Sequence, residues 1–198
     1  MRHTSTLATF GAISAIAFAP AASAQFGPET VAKPDAAELA ADRAVKDGEY
    51  GEARAAYLEA CQQKSRQKEV WGRNCRKLGD LHRKGLGGRQ DYEAARDLYD
   101  QACLGGRDVQ ACMQQAYTSF KGTDGEENWT YARKLYRQAC DLGEAQGCAG
   151  YGSMLYRGQG GVMKRDEGKR LIQQACADGD PWACERARGY GFPDRRGL

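Results

Sequence analysis

The residues of this chain best suited to chemistry are its eight cysteines, which stand at positions 61, 75, 103, 112, 140, 148, 176 and 184. An even number of cysteines in an exported chain is typical of a disulfide framework. Zinc sites instead use CxxC pairs or mixed Cys/His sets. The chain has no CxxC pair and only two histidines, so the pattern favours disulfides and indicates neither a metal site nor a cofactor.

Export is predicted from the amino terminus. Arg2 precedes an apolar stretch at 7–19, and Ala22-Ser23-Ala24 offers small residues to a signal peptidase. This pattern predicts a signal peptide over 1–24 and a flexible linker over 25–34, with the mature protein periplasmic or secreted. The apolar stretch is too short for a stable membrane anchor, and no stretch long enough to indicate a multi-span membrane protein follows.

Two other patterns could support catalysis. Ser65-x-x-Lys68 matches the nucleophile motif of serine β-lactamases, but the companion SDN and KTG motifs are missing from the sequence. His82 lies beside Arg83 and Lys84, with no free cysteine predicted near it, and is interpreted as a surface or groove histidine rather than part of a triad. The sequence therefore leaves enzymatic activity uncertain and favours a non-enzymatic protein.

Composition narrows the class of partner. The chain has 198 residues, 41% hydrophobic, and its 29 basic and 26 acidic residues nearly balance. A dedicated nucleic-acid-binding protein carries a stronger basic excess, so nucleic acid is not an expected partner. The hydrophobic fraction is sufficient for a folded, globular chain.

The cysteines mark an internal repeat, because 75–103, 112–140 and 148–176 are each 28 residues apart. Small residues recur four and twenty positions after each leading cysteine, and a glycine recurs ten positions after it. A period near 36 residues predicts an all-α fold, a right-handed α-solenoid of helical hairpins. The small residues let two helices approach closely, and Gly85, Gly122 and Gly158 stop the first helix of each hairpin.

The helical periodicity predicts no strands and about nine helices, at 35–46, 49–63, 69–84, 91–104, 108–120, 128–141, 145–156, 166–177 and 181–188. Asn128 is expected to cap its helix rather than to carry a glycan. The solenoid is predicted over 35–188, with units of about 35–68, 69–106, 107–143 and 144–180, a final helix at 181–188 and a frayed tail at 189–198.

The repeat also restricts how the cysteines pair. Pairing within a unit leaves Cys61 and Cys184 alone at opposite ends. Pairing across the hairpin junctions uses every cysteine and predicts the bridges 61–75, 103–112, 140–148 and 176–184. Such bridges would staple a solenoid whose core is only two helices thick.

The repeat resembles a known family. The pattern Cys75-x-x-Leu78-Gly79, then Gly85-x-Gly87, then Ala95-x-x-Leu98-Tyr99-x-x-Ala102-Cys103-x-x-Gly106, is similar to Sel-one-like repeats, which are relatives of tetratricopeptide repeats. The bridged junctions resemble the Helicobacter cysteine-rich protein branch of that family. Two places depart from the pattern: Thr123-Asp124 replaces the second glycine region, and 62–70 is inserted at the first junction.

The resemblance implies a monomeric scaffold that binds a protein, a peptide or a cell-wall component such as a peptidoglycan fragment. The alternative it implies is a β-lactamase-like or penicillin-binding activity, as described for cysteine-rich relatives, with no catalytic residue to transfer. It also places a concave binding row at Arg73, Arg76, Asp80, Arg83, Lys84, Gln110, Met113, Tyr117, Phe120, Lys121, Gln146, Ala149, Ser153, Tyr156, Arg157, Trp182 and Glu185. Arginines and aromatics in that row suit an acidic or extended peptide; alternatively, the aromatics pack between helices and the arginines form a solvated face.

Overall fold

The fold is a succession of antiparallel helices, seen in a computed structural model that describes residues 32–63 and 67–193. Within those residues there are no strands, and the helices are α1 Ala36–Asp47, α2 Tyr50–Gln62, α3 Lys68–Lys84, α4 Tyr92–Asp100, α5 Val109–Lys121, α6 Trp129–Asp141, α7 Ala145–Arg157, α8 Arg165–Ala177 and α9 Pro181–Gly189. The all-α prediction is confirmed. The proposed signal peptide, residues 25–31 of the linker, Ser65 and residues 194–198 lie outside the described part of the chain.

Short polar residues and glycines set the helix ends. The side chains of Asp35, Asp91, Asp108, Asn128 and Asp180 accept hydrogen bonds from backbone N–H groups in the first turn of the following helix. The predicted cap at Asn128 is therefore confirmed. At the other end, α3, α5 and α7 each stop at a glycine in the left-handed region, with φ of 68°, 65° and 72°.

Four disulfides lie at the junctions between hairpins, and all four predicted pairings are confirmed. Cys61–Cys75 joins α2 to α3, and the bridges Cys140–Cys148 and Cys176–Cys184 join α6 to α7 and α8 to α9. Cys103–Cys112 joins α5 to a π-helical turn, Gln101–Gly105, that follows α4. Every cysteine of the chain is bridged, so none is a nucleophile or a metal ligand.

The π-helical turn is a feature that the repeat did not predict. It accompanies close packing at its junction, where the backbones of Gly72 and Gly106 meet and the Trp71 ring lies against Gly105. The Trp71 indole donates a hydrogen bond of 2.6 Å to the carbonyl of Cys61, across the inserted segment. The indole thus links the start of α3 to the end of α2, beside the Cys61–Cys75 bridge.

Helices α7 and α8 of one hairpin pack backbone against backbone. A Cβ on Gly152 would lie 2.8 Å from the carbonyl oxygen of Gly168, and a Cβ on Gly168 would lie 2.7 Å from the backbone nitrogen of Tyr156. The small residues at these two repeat positions are therefore required by backbone contact. Around the earlier hairpins the core contains larger buried side chains, among them Tyr57, Tyr99, Leu78 and Leu135.

Arginines on the second helix of a hairpin hold the loop of the next hairpin. Arg54 of α2 donates to the carbonyl of Arg89 at 3.4 Å, and Arg133 of α6 donates to that of Val162 at 2.9 Å. Arg96 takes the same place on α4, and its guanidinium lies against Gly125. These contacts fix each loop against the preceding unit.

The segment after α9 packs onto the solenoid as far as residue 193, contrary to the expectation of a frayed tail. Phe192 is buried, and the rings of Tyr190 and Phe192 lie 4.8 Å and 5.2 Å from the ring of Tyr156. Aromatic packing of this kind compensates for the loss of chain entropy that would otherwise favour fraying.

Candidate functional site

The basic start of the predicted binding row is neutralised by carboxylates from other elements. Arg73 binds Glu38 of α1 through two hydrogen bonds of 3.0 Å each. Lys77, one turn further along α3, binds Glu38 at 3.0 Å and Asp42 at 2.6 Å. Glu38 is only 2% exposed, so the network is desolvated at its central carboxylate, while the cations and Asp42 are partly exposed.

A second set of contacts engages the rest of α3. Arg76 pairs with Asp80 at 3.1 Å and with Asp108 at 3.1 Å. The hydroxyl of Tyr99 donates to Asp80 at 2.7 Å and accepts from Arg83 at 3.3 Å. We call Glu38, Asp42, Arg73, Arg76, Lys77, Asp80 and Asp108 the paired cluster. Arg73 and Arg76 are thus held by carboxylates of the protein, and their part in ligand binding stays a prediction.

The ion pairs of the paired cluster are reflected in its protonation equilibria. Burial by itself would raise the pKa of Glu38, but hydrogen bonds from Arg73 and Lys77 outweigh it and lower the pKa. Burial likewise opposes the lowered pKa of Asp42, which accepts hydrogen bonds from Lys77 and Tyr57. Both carboxylates are therefore charged at neutral pH and hold their cations in place.

The later part of the row opens into a groove of about 760 Å³ between α5, α7 and α9. We call this the α5–α9 groove, and it is lined by Val109, Gln110, Met113, Gln114, Tyr117, Phe120, Lys121, Tyr136, Glu144, Gln146, Gly150, Ser153, Met154, Arg157, Gln159, Trp182, Arg186 and Tyr190. Most residues predicted on the second and third first-type helices therefore lie together here. The lining mixes aromatic rings, side-chain amides and cations.

The cations of the α5–α9 groove lie over aromatic rings. Arg186 is 4.6 Å from the centroid of the Trp182 ring, Arg157 is 5.8 Å from that of Tyr190, and Lys121 is 5.9 Å from that of Phe120. Among the described residues, no carboxylate forms an ion pair with any of the three. The stacked rings pre-orient these charges while leaving them without an anion.

Some predicted residues lie outside the groove. Tyr156 packs against Tyr190 and Phe192, and Lys84 is exposed at the carboxyl end of α3. Ala149 is fully buried in the core, and Glu185 lines a small side pocket that adjoins the groove at Trp182.

Other groove residues were missing from the prediction. The sequence could have placed Arg186 in the binding row, because it follows Trp182 by one helical turn. Tyr136 comes from a second helix and fits against Gly150, where a Cβ would lie 2.7 Å from its ring. Burial raises the pKa of Tyr136 to about 12, so its phenol is neutral and can donate a hydrogen bond.

Ser153 of the predicted binding row and the catalytic candidate His82 both have contacts within the protein. The hydroxyl of Ser153 donates to the carbonyl of Ala149 at 2.8 Å, which is a bond within its own helix. Nδ1 of His82 lies 2.5 Å from the guanidinium of Arg54. Burial and the charge of Arg54 lower the pKa of His82, so its ring is neutral and accepts from Arg54.

The chain is similar to proteins of one repeat family. The model of the Sel1 repeat matches residues 75–106, 109–144 and 145–180. No curated protein sequence matches the chain. No helix in the described part is both long and apolar enough to cross a membrane.

Solved structures share the fold. One is c5321, a protective antigen present in uropathogenic Escherichia coli strains that displays an SLR fold, with a TM-score of 0.62, 23% identity and 74% of this chain covered. Another is a Sel1 repeat protein from Oxalobacter formigenes, with a TM-score of 0.62, 24% identity and 79% of this chain covered. The match spans only 31% of the first protein and 63% of the second. Helicobacter pylori cysteine rich protein B matches with a TM-score of 0.47 and 18% identity, over 76% of this chain and 96% of that one.

Proposed function

We propose that this chain, which belongs to the Sel1 repeat family, is a scaffold that binds an extended, anionic peptide in the α5–α9 groove. Sel1 repeat proteins generally mediate protein–protein interaction. The choice of a peptide as the ligand is more specific than the family supports, and it rests on the chemistry of the residues that line the α5–α9 groove. The four disulfides support a place for this scaffold in an oxidising compartment, the periplasm or the cell exterior.

The observation that carries the proposal is the set of three ring-stacked cations, Lys121, Arg157 and Arg186. Glu144 is the one carboxylate in the groove lining, so the lining is cationic overall. Guanidinium groups bind carboxylates through paired hydrogen bonds, and the stacked ring reduces the entropy lost on binding. An acidic side chain or a carboxylate is the ligand group that such cations hold best.

The remaining lining favours a peptide over an isolated anion. Tyr117 is 52% exposed, and it lies in the groove with Phe120 and Trp182, which offer apolar contact area. Gln110, Gln114 and Gln146 can hydrogen-bond a peptide backbone. Packed helices are about 10 Å apart, so crossing α5, α7 and α9 takes roughly six extended residues.

The proposal is tested with a fluorescently labelled acidic-aromatic hexapeptide, Ac-Glu-Phe-Glu-Phe-Glu-Phe, and its lysine counterpart, Ac-Lys-Phe-Lys-Phe-Lys-Phe, on the purified, oxidised protein. Fluorescence anisotropy should show binding of the acidic peptide and at least tenfold weaker binding of the basic one. The double charge reversal Lys121→Glu with Arg157→Glu should weaken acidic-peptide binding by tenfold or more.

The matched control reverses two exposed cations outside every described cavity, Arg43→Glu with Arg170→Glu. It changes the net charge by the same amount and should weaken binding less than twofold. Equal losses in the two double variants would mean that net charge governs binding, which overturns the assignment to the groove. Equal binding of the acidic and basic peptides would overturn the choice of an anionic ligand.

A further inference from the structure

A second cavity of about 490 Å³ lies between α4, α5 and the loop that joins α5 to α6. It shares no lining residue with the α5–α9 groove. Its charged lining consists of the carboxylates of Glu93, Asp97, Asp100, Asp124, Glu126 and Glu127, with the guanidinium of Arg96. We call it the acidic cleft.

The carboxylates of the acidic cleft are not neutralised by ion pairs within the protein. Every ion pair found among the described residues involves other acids. Arg96, the one cation of the lining, lies against Gly125, in the position from which Arg54 and Arg133 hold other loops. The cleft thus concentrates negative charge for which the described chain supplies too few counter-charges.

Two hydrogen-bond acceptors in the lining of the cleft lack a donor. Gln115 is 1% exposed, and its Oε1 has no hydrogen-bond partner. Oδ1 of Asp100 is also buried without a partner, although the carboxyl group as a whole accepts a hydrogen bond from the Tyr131 phenol. An unmatched buried acceptor destabilises the folded state, so native proteins rarely keep one without a purpose or a bound group.

The acids are not required by the repeat. At the positions of Glu93 and Asp97, the next hairpin has Thr130 and Lys134. The α5–α6 loop at the cleft has equivalents at 85–90 and 158–164. Neither of these loops contains a carboxylate. The cleft therefore lies where α4 of one hairpin and the α5–α6 loop of the next depart from the repeat, so it is not part of the architecture that all the hairpins share.

We propose that the acidic cleft binds an alkylammonium group, as carried by a lysine side chain or by a free polyamine. An ammonium presents three donors on a slim stem, and the cleft lining contains the unmatched acceptors of Gln115 and Asp100 together with five further carboxylates. A metal ion is a poorer match, since no group of three or more potential metal ligands converges among the described residues.

The test uses isothermal titration calorimetry with the purified, oxidised protein at low ionic strength. The probes are Ac-Gly-Lys-Gly-Lys-Gly-amide, the same peptide with Nε-acetylated lysines, and spermidine. At least one of the two cationic probes should bind, and the acetylated peptide should not. Binding by the peptide alone identifies lysine side chains as the source of the ammonium, while binding by spermidine alone identifies a polyamine.

Paired variants decide whether the cleft is the site. Asp97→Asn with Asp124→Asn should weaken binding tenfold or more, whereas Asp47→Asn with Glu52→Gln, which removes the same charge from an exposed surface elsewhere, should weaken it less than twofold. Equal losses, or no binding by either cationic probe, would overturn the proposal. Neither result depends on the α5–α9 groove, where the acidic hexapeptide is the probe.

A further variant separates ligand binding from folding. Gln115→Leu removes the unmatched acceptor and keeps a side chain of similar size, so the melting temperature should stay the same or rise. Affinity for the cationic probe should fall about threefold or more, because a bond made only with the ligand is lost. Unchanged affinity would show that Gln115 does not face the ligand and would overturn its role.

Discussion

Both ends of the predicted binding row carry cationic side chains, but these side chains have different partners. In the paired cluster, Arg73, Arg76 and Lys77 are bound by carboxylates of α1, of α3 itself and of the start of α5. In the α5–α9 groove, Arg157 and Arg186 lie over aromatic rings without a carboxylate partner in the described chain. The difference shows that cations at equivalent places in the repeat are neutralised only where neighbouring elements supply acids.

The largest expected effect comes from removing the central acid of the paired cluster. Glu38→Gln leaves Arg73 and Lys77 without their shared carboxylate, and we expect the free energy of unfolding to fall by about 2–3 kcal/mol. This is less than the loss of a fully buried pair because both cations are partly exposed. Urea-induced unfolding followed by circular dichroism measures the change.

The matched control is Glu144→Gln in the α5–α9 groove, where no ion pair is broken and the glutamine oxygen can still accept the long N-cap hydrogen bond from the Gln146 N–H. It should change the free energy of unfolding by less than about 0.5 kcal/mol. If the two variants were equally stable, the ion pairs of the paired cluster would contribute nothing, and the contrast between the two regions would be wrong.

A second prediction concerns the hairpin beside the groove, which is held together by backbone contact instead of charge. Gly168→Ala should destabilise the protein by about 2 kcal/mol, because the added Cβ overlaps backbone atoms of Gly152 and Tyr156. High salt should reduce the effect of Glu38→Gln but leave that of Gly168→Ala unchanged. Thermal unfolding at low and high salt measures both.

Gly51→Ala is the control for helix propensity. A Cβ on Gly51 would meet no atom within 4 Å, so alanine should stabilise α2 by about 0.5–1 kcal/mol. A stabilising effect of Gly168→Ala would instead show that α7 and α8 can separate at no cost.

The same carboxylate, that of Glu38, gives the paired cluster a pH dependence. The pKa of Glu38 lies below its ordinary value of 4.5 in the folded protein. The unfolded chain therefore takes up the proton first, and the stabilisation is complete above pH 4.5 and is lost as the pH falls through the folded pKa. The stabilities of the wild type and Glu38→Gln should converge below pH 4.5, as measured by urea unfolding; a constant difference would contradict the assignment.

The helices and bridges were predictable because the sequence patterns that indicate them occur in several units of the repeat. Each hairpin repeats the same cysteines, glycines and small residues, so an error in one unit is corrected by the others. The π-helical turn at Gln101–Gly105 was not predictable, since it accompanies contacts of Gly72 and Trp71 that are specific to one junction.

The candidate site was predictable only in part. The repeat register was enough to place the row on the correct helices. It could not predict which acids pair with the cations of the row. Glu38 reaches Arg73 across 35 residues, and no local pattern links them. The acidic cleft was also missed, although its cause is visible as the departure at Thr123-Asp124.

The arginines that hold successive loops bear on how such a chain lengthens in evolution. Each hairpin with Arg54, Arg96 or Arg133 contains both the side chain that receives the next loop and half of the bridge that ties the next hairpin. A duplicated hairpin would therefore bring its own attachments on both sides, without new substitutions in its neighbours. Gene duplication can insert such a unit in one step, and selection can then vary its loop, as the acidic segment at 123–127 illustrates.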